Sequence, residues 1–215
     1  MRKTACLISL SIVILAFIFA FYFYPQMPQL IASHWNDKGE VNGMTEKWML
    51  FLIPAIIVFC FVMFIFIPRI EPKKENIKEF KDSYDDFILI FNLFMFYLFA
   101  LTIIWNLGYS FNMTVGIMPG LSVLFYFLGI LVAQTKRNYT IGIRTPWTLE
   151  NDKVWESTSK VSGVFFKTLG LSCLFFMLFP KYAFLLFFSF LIIGIIYIFF
   201  YSYSEYKKQI KRKNK

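Results

Sequence analysis

The residues best suited to chemistry lie in a polar stretch between the first two apolar runs. This stretch holds the only histidine of the chain, His34, followed by Asp37 and Glu40. One imidazole and two carboxylates form a donor set that a divalent metal ion could use. The stretch is also rich in the turn-forming residues Asn and Gly, and it has neither an HExxH nor a CxxC spacing. We therefore favour local hydrogen bonding around His34 and keep metal binding as the alternative.

Catalysis is a second use that these residues would allow. A nucleophile and a base must lie within reach of each other, and the only hydroxyl beside His34 is that of its neighbour Ser33. We predict no catalytic residue, no cofactor and no metal site. A membrane-embedded enzyme is kept as an alternative function.

A second polar stretch, residues 138–163, interrupts the apolar second half of the chain. Arg144 follows an apolar approach and precedes Thr145, Pro146 and Trp147. Proline disfavours a helical conformation in the residue before it, so we expect an extended corner here. We expect the Arg144 guanidinium to hold this loop by bonding a backbone carbonyl, a carboxylate or a lipid phosphate.

The residues after this corner have the pattern of an amphipathic helix. Thr148 or Asn151 can provide its N-terminal cap. One helical face would then be largely apolar and anchored by Trp155; its members are Val154, Trp155, Thr158, Val161 and Phe165. We predict a helix that lies at the membrane surface and leads into the next span.

The elements that position both stretches are hydrophobic. Of all residues, 58% are hydrophobic and 16% are charged, whereas soluble domains carry about 25% charged residues. A helix needs about 20 apolar residues to cross the hydrocarbon core of a bilayer. Six runs reach or approach that length: Ala5–Tyr24, Met49–Ile67, Phe87–Trp105, Val115–Ala133, Val164–Phe179 and Tyr182–Tyr203. We predict an all-α polytopic membrane protein with six transmembrane helices.

The distribution of basic residues predicts the orientation of these helices. Most of the 22 Lys and Arg residues fall at the two termini and in the segments after the second and fourth runs. Basic residues favour the cytoplasmic side, so we expect both termini to be cytoplasmic. Attraction to anionic lipid accounts for the net charge of +9, and no direct nucleic-acid partner is expected.

The order of runs and polar segments predicts four parts. Residues 1–70 would form an N-terminal two-span unit, and residues 71–86 a cytoplasmic connector with a short solvated helix. Residues 87–205 would form a four-span unit, and residues 206–215 a basic cytoplasmic tail. Asn92, well inside the third run, is expected to bond a neighbouring helix.

Both polar stretches resemble segments of one known family. Residues 141–155, IGIRTPWTLENDKVW, closely resemble the signature loop of the SdpI family of bacterial toxin-immunity membrane proteins. The first stretch resembles a small domain of unknown function that often precedes this family, through Pro28, His34, Trp35, Asn36, Gly39, Gly43 and Lys47. This sequence has Thr158-Ser159 where family members commonly carry a Thr-His pair, which affects any role of that histidine.

The resemblance implies an integral membrane immunity protein of a prokaryotic cell membrane. It would protect the cell against a secreted antimicrobial peptide toxin met on the outer side, and would signal to a cytoplasmic regulator. Nine residues become the functional loop candidates: His34, Trp35, Asn36, Gly39, Arg144, Thr145, Pro146, Trp147 and Trp155.

A small-solute transporter or channel is the main alternative to immunity. Coupled transport usually places ionisable groups at mid-membrane. The six runs contain one ionisable Lys, Asp, Glu, Arg or His side chain, Lys167, near the start of the fifth run.

Overall fold

The computed structural model describes residues 1–213, which are mainly helical. Within this range the elements are α1 Lys3–Phe23, β1 Leu30–Trp35, β2 Val41–Glu46, α2 Leu52–Ile70, α3 Lys74–Glu79, α4 Lys81–Asn106, α5 Met113–Gln134, α6 Pro146–Glu150, α7 Asp152–Phe176 and α8 Ala183–Lys213. Six of these helices, α1, α2, α4, α5, α7 and α8, are long and apolar enough to cross a membrane. The all-α class with six spans is confirmed, and the β-hairpin is an addition to it.

Consecutive spans run in opposite directions, so the connecting segments gather at two ends of the bundle. The hairpin β1–β2 contacts the segment that joins α4 to α5. At the other end, the backbone N–H of Arg2 donates to Asp85 at the start of α4, at 2.6 Å. We call these ends the hairpin side and the loop side. The loop side contains residues 135–151, the Arg144 loop.

Among the described residues, three apolar cores lie between the helices, and one of them lies on the loop side among α2, α3 and α4. In the first, α1, α2 and α4 pack together beneath the hairpin, with Ala16, Ile57 and Phe99 fully buried. In the second, α5, α7 and α8 pack around buried residues such as Leu169 and Cys173. The α4–α5 contact joins the two groups of helices.

Helices α5 and α7 are antiparallel and approach so closely that only small residues fit between them. A Cβ atom on Gly163 would lie 2.5 Å from Cβ of Ala133 and 2.8 Å from the carbonyl oxygen of Gly129. A Cβ on Gly170 would lie 2.6 Å from the carbonyl oxygen of Ser122. Small residues are the usual means of bringing membrane helices into backbone contact. We call this contact the glycine seam.

The predicted amphipathic helix that leads into the next span is present, but it is not a separate surface helix, because α7 continues without a break from Asp152 through Phe176. Its first turns are largely buried, including Thr158, Ser159 and Ser162. These small hydroxyl residues look polar in the sequence, but they let α5 pack against this end of α7. Asn151 caps the helix, accepting bonds from the backbone N–H groups of Lys153 and Val154.

The expectation for Asn92 is also wrong. Its side chain is completely buried in α4, but neither amide atom has a hydrogen-bond partner among the described residues. The hydroxyl of Ser9 in α1 is likewise buried and without a partner in the described part of the chain. A buried polar group without a partner costs about 1–3 kcal/mol.

Candidate functional site

The tip of the hairpin is organised by Asn36. Its carboxamide oxygen accepts the backbone N–H groups of Lys38 and Glu40, at 3.0 and 2.9 Å. Its amide nitrogen donates to the Glu40 carboxylate at 3.0 Å. Gly39 closes the turn with φ of +78°, a conformation that glycine adopts without strain. Asn36 and Gly39 therefore have a structural role, which is to form the turn at the tip of the hairpin.

This tip docks on the first turn of α5. The Asn112 amide donates to the Lys38 carbonyl at 2.7 Å, while its oxygen caps α5 through the Val115 N–H at 3.0 Å. The Thr114 hydroxyl donates to the Asp37 carbonyl at 3.3 Å. A Cβ on Gly39 would lie 2.3 Å from the Asn112 side-chain oxygen. Glycine is thus required here both for its backbone conformation and for space.

The first strand is fixed to the end of α4. The Asn106 carboxamide accepts from the Ala32 N–H at 2.7 Å and donates to the Ala32 carbonyl at 3.1 Å, as a neighbouring strand would. The Trp35 and Trp105 rings meet edge to face, 5.9 Å apart. The register of β1 and β2 is irregular around His34, which faces Gly43. These irregularities are typical of bulges, which bend a strand and redirect its side chains.

A cavity of about 340 Å³, the hairpin cavity, lies between the hairpin, α5 and the start of α8. Residues 33–36 form one wall. The opposite walls are mainly apolar: Met113, Thr114, Ile117, Met118, Leu121, Phe184, Phe187 and Phe188. The buried indole N–H of Trp35 has no acceptor among the described residues. The hairpin cavity thus combines apolar walls with the polar hairpin residues His34 and Asn36.

The chemistry around His34 is that of local hydrogen bonding. Its Nδ1 atom lies 2.5 Å from the side-chain oxygen of Asn42, whereas the Ser33 hydroxyl donates to the Gly43 carbonyl at 3.4 Å. Within residues 1–213, no cluster of three or more His, Cys, Asp and Glu residues could hold a metal ion. Asp37 meets α5 through its backbone carbonyl.

The Arg144 loop is built around Asn138, which is fully buried. Its side-chain oxygen accepts the N–H groups of Thr140 and Ile141, at 2.9 and 2.6 Å. Its amide donates to the carbonyls of Lys136 and Ile141, both at 2.8 Å. One asparagine therefore satisfies the backbone of a tight turn that helices and strands cannot satisfy.

Glu71 clamps this loop to the end of α2. Its carboxylate is 2% exposed and accepts from the Tyr139 N–H at 3.1 Å and from the Thr140 hydroxyl at 2.9 Å. Nearby, the Asn76 amide donates to the Arg137 carbonyl at 2.6 Å. Segment 71–86 therefore holds the Arg144 loop in addition to connecting two spans. Its predicted short helix is present as α3.

Two arginines hold the outside of the loop. Arg144 is exposed and donates to the Tyr139 carbonyl, which agrees with the first of its three predicted partners. Arg137 donates to the Leu149 carbonyl at 3.1 Å, and its Nε lies 2.7 Å from the Asp152 carboxylate. Both guanidinium groups stabilise the loop by satisfying carbonyl groups that no helix or strand pairs.

The Thr145-Pro146-Trp147 corner attaches the loop to α8. Thr145 and Thr148 form a capping box at the start of α6, with Pro146 in the first turn. The Thr145 hydroxyl also donates to Ser202 of α8 at 3.1 Å. The Trp147 ring packs against Phe199 and Tyr203, with centroids 5.0 and 4.9 Å away.

Trp155 is the central buried side chain of this end, with 2% exposure. Its indole N–H donates to the Thr135 carbonyl at 2.9 Å, at the end of α5. Gly142, with φ of +116°, covers the ring so closely that a Cβ would lie 2.9 Å from it. Ser159, at the position of the family histidine, lies 3.2 Å from the Thr135 hydroxyl.

The nine functional loop candidates therefore form two groups at opposite ends of the helices. His34, Trp35 and Asn36 line the hairpin cavity, whereas the five loop-side candidates serve a packed loop. The sequence reasoning missed Asn106, Asn112, Asn138 and Glu71. Of these four, only Asn138 could have been predicted from the sequence, because an asparagine just before a Gly-containing loop commonly organises a turn.

These two ends correspond to two regions of similarity with known proteins. Residues 134–204 match the SdpI/YfhL protein family. Residues 11–58 match a domain of unknown function, DUF1648. The resemblance expected from the two polar stretches, to SdpI and to a small preceding domain, is thereby confirmed.

A curated relative extends this similarity over nearly the whole chain. The protein is 24% identical to the immunity protein SdpI of Bacillus subtilis (strain 168) over 203 residues, which cover 94% of this chain and 96% of the relative. No solved protein structure matches the chain significantly. With its six membrane-length helices, the chain is a multi-pass protein of a bacterial cell membrane that is similar to SdpI over nearly its whole length.

Proposed function

We propose that this chain is a membrane immunity protein that protects its cell against a secreted antimicrobial peptide toxin. The hairpin cavity is the observation that carries the proposal. It offers an apolar surface of a size suited to a few side chains, beside the exposed His34. The similarity to an immunity protein over 94% of the chain supports the same function.

In this proposal the cavity binds an apolar segment of the toxin before it damages the bilayer. Aromatic and apolar walls would bury the toxin side chains, and the hairpin tip would provide polar contacts. Asn106 and Asn112 fix the hairpin through its backbone, which leaves the exposed side chain of His34 available for binding. Such a pre-organised site loses little conformational entropy on binding.

Survival of a toxin-sensitive host that expresses the chain tests the proposal. Host survival would be scored against a panel of secreted peptides, together with membrane abundance of the protein. Ile117→Trp, which fills the hairpin cavity, and His34→Ala should reduce survival at normal abundance. Met44→Ala is the matched control, because Met44 is an exposed hairpin side chain outside the cavity wall. Full protection by Ile117→Trp would contradict a role for the cavity.

The orientation belongs to the same proposal, with the hairpin outside and both termini in the cytoplasm. Labelling of single introduced cysteines by a membrane-impermeant reagent tests it. Lys38 and Lys153 are exposed sites at opposite ends and avoid Gly39, which has no room for a side chain. Lys38→Cys should react in intact cells, and Lys153→Cys only after the membrane is opened. Reaction of both in intact cells would contradict this topology.

We further propose that toxin contact outside is relayed to a cytoplasmic regulator inside. Helix α5 begins under the hairpin tip and ends at Thr135, which accepts the Trp155 indole bond. The glycine seam ties α5 to α7, so a shift at the hairpin would move both helices. A relay requires that toxin favours one helix packing over another.

The regulator would dock in a polar groove of about 740 Å³ on the loop side. Three salt bridges line it, including the one between Lys160 and Glu156 at 2.7 Å. Co-purification of cytoplasmic proteins with and without toxin tests this step. In Lys160→Glu, a partner that co-purifies only with toxin should be lost, and host survival should be unchanged. Co-purification of the same partner with Lys160→Glu would contradict docking in the groove.

Small-solute transport is the second candidate function, and Asn92 is the observation that favours it. A fully buried carboxamide without a partner among the described residues is unusual inside a membrane bundle. Solute uptake by proteoliposomes that contain the purified protein tests transport. Uptake that is lost in Asn92→Leu would support it.

A further inference from the structure

A second cavity lies on the loop side, between the end of α2, the helix α3 and the start of α4. Its volume is about 440 Å³. Four basic side chains line it, Arg69, Lys74, Lys78 and Lys81, and we call it the basic cavity. Its apolar lining includes Phe64 and Ile88.

The charges around the basic cavity leave an excess of positive charge. Asp85 is the acidic residue of the lining, and it is already bonded to Lys81 at 2.8 Å. Lys78 pairs with Glu75, also at 2.8 Å. Arg69 and Lys74 take part in neither ion pair and are exposed. Two cations at the mouth are therefore available for an anionic ligand.

Next to Arg69, an apolar strip lies on the outer face of α2. Val62, Met63 and Phe66 are 44%, 43% and 50% exposed. The guanidinium of Arg69 lies over the Phe66 ring, 5.2 Å from its centroid. Cationic groups thus sit directly above a hydrocarbon-compatible surface, at the end of a membrane span.

We propose that the basic cavity binds one anionic phospholipid. Its phosphate would lie between Arg69 and Lys74, where charge-assisted bonds are favourable, and an acyl chain would lie along α2. Basic pockets at the ends of membrane helices are suited to anionic headgroups. The apolar lining favours a lipid over free phosphate, because it would contribute nothing to binding of a small hydrated anion. The site is independent of toxin binding.

Titration of the detergent-purified full chain with phosphatidylglycerol, followed by native mass spectrometry, tests the proposal. The wild-type chain should retain one lipid molecule preferentially. Arg69→Gln combined with Lys74→Gln should weaken retention about 20- to 30-fold, since each cation near anionic lipid contributes roughly fivefold. The charge-conserving pair Arg69→Lys and Lys74→Arg should keep most of the affinity.

The control removes the same charge from elsewhere on the chain. Lys207→Gln combined with Lys211→Gln neutralises two basic residues in the last turns of α8 and should leave retention unchanged. Phosphatidylcholine, inorganic phosphate and glycerol phosphate should compete poorly. Equal weakening by both double variants would show general surface attraction and overturn the site. Equal competition by inorganic phosphate would replace the lipid with a free anion and overturn the proposal as well. Thermal unfolding of each variant would confirm that it is folded.

Discussion

The hairpin and the Arg144 loop lie at opposite ends of the same helices, but they are held in different ways. Asparagines outside the hairpin bind its backbone, so that side chains such as His34 stay exposed. In the Arg144 loop the side chains themselves are buried, as Asn138, Thr145 and Thr148 show. The first arrangement leaves side chains available for binding, and the second uses them for stability. Loss of function should therefore have different causes at the two ends.

Trp155→Ala should have the largest effect and tests the packed end directly. It removes a buried ring and the indole bond to Thr135, and such truncations cost about 3–5 kcal/mol of the free energy of unfolding. Denaturation in detergent and membrane abundance would measure the loss. Trp48→Ala is the matched control, since Trp48 is 57% exposed on the hairpin side. Similar losses in both variants would remove the distinction between the two ends.

Glu71→Gln should have the next largest effect. The neutral carboxamide keeps the shape but weakens the charge-assisted bonds to Tyr139 and Thr140, and hydrogen bonds to charged groups contribute about 1.5–3 kcal/mol each. We expect a lower unfolding temperature and faster proteolysis within the Arg144 loop. Glu75→Gln, an exposed neighbour that pairs with Lys78 and not with the loop, should change neither. An unaltered loop in Glu71→Gln would mean that the clamp is unimportant.

Asn112→Ala should have a smaller effect, confined to the hairpin side. It removes an N-terminal cap and the bond to the Lys38 carbonyl, and loss of a cap typically costs about 1 kcal/mol. Faster hydrogen exchange in the hairpin tip, with little change in the unfolding temperature, is the expected result. Global destabilisation as large as that of Trp155→Ala would contradict a hairpin that is merely docked.

The smallest effect concerns the exposed pair of Glu75 and Lys78. A hydrogen bond from the Lys78 ammonium holds the pKa of the Glu75 carboxyl below its ordinary value. A carboxyl with a lowered pKa stabilises the fold above its unfolded-state pKa, and this contribution is lost as pH falls through the folded-state pKa. Because the pair is exposed, the contribution is small.

NMR titration of labelled Glu side chains would measure this effect. Lys78→Gln should return the Glu75 pKa towards its ordinary value, whereas Lys153→Gln, a distant exposed lysine, should not. An unchanged Glu75 pKa in Lys78→Gln would assign the shift to other charges.

The spans could be predicted from sequence because hydrophobic length is a local property. The cap at Asn151 followed from local spacing in the same way. Contacts between distant segments could not be predicted, such as Asn106 with Ala32. The burial of Ser159 and Ser162 in the first turns of α7 could not be predicted either, because serine looks polar in a sequence, although small side chains pack well where helices approach closely. The roles of the nine candidates remain predictions.

The two hydrogen bonds between Asn106 and Ala32 determine where a further strand could pair with the hairpin. An isolated two-stranded ribbon has two unpaired edges, and each can act as a template for another strand. The Asn106 carboxamide occupies both the N–H and the carbonyl of Ala32, so the β1 edge is terminated by a side chain. Strand addition, by a second copy or by an extended peptide, is therefore restricted to the edge of β2, from Val41 to Glu46.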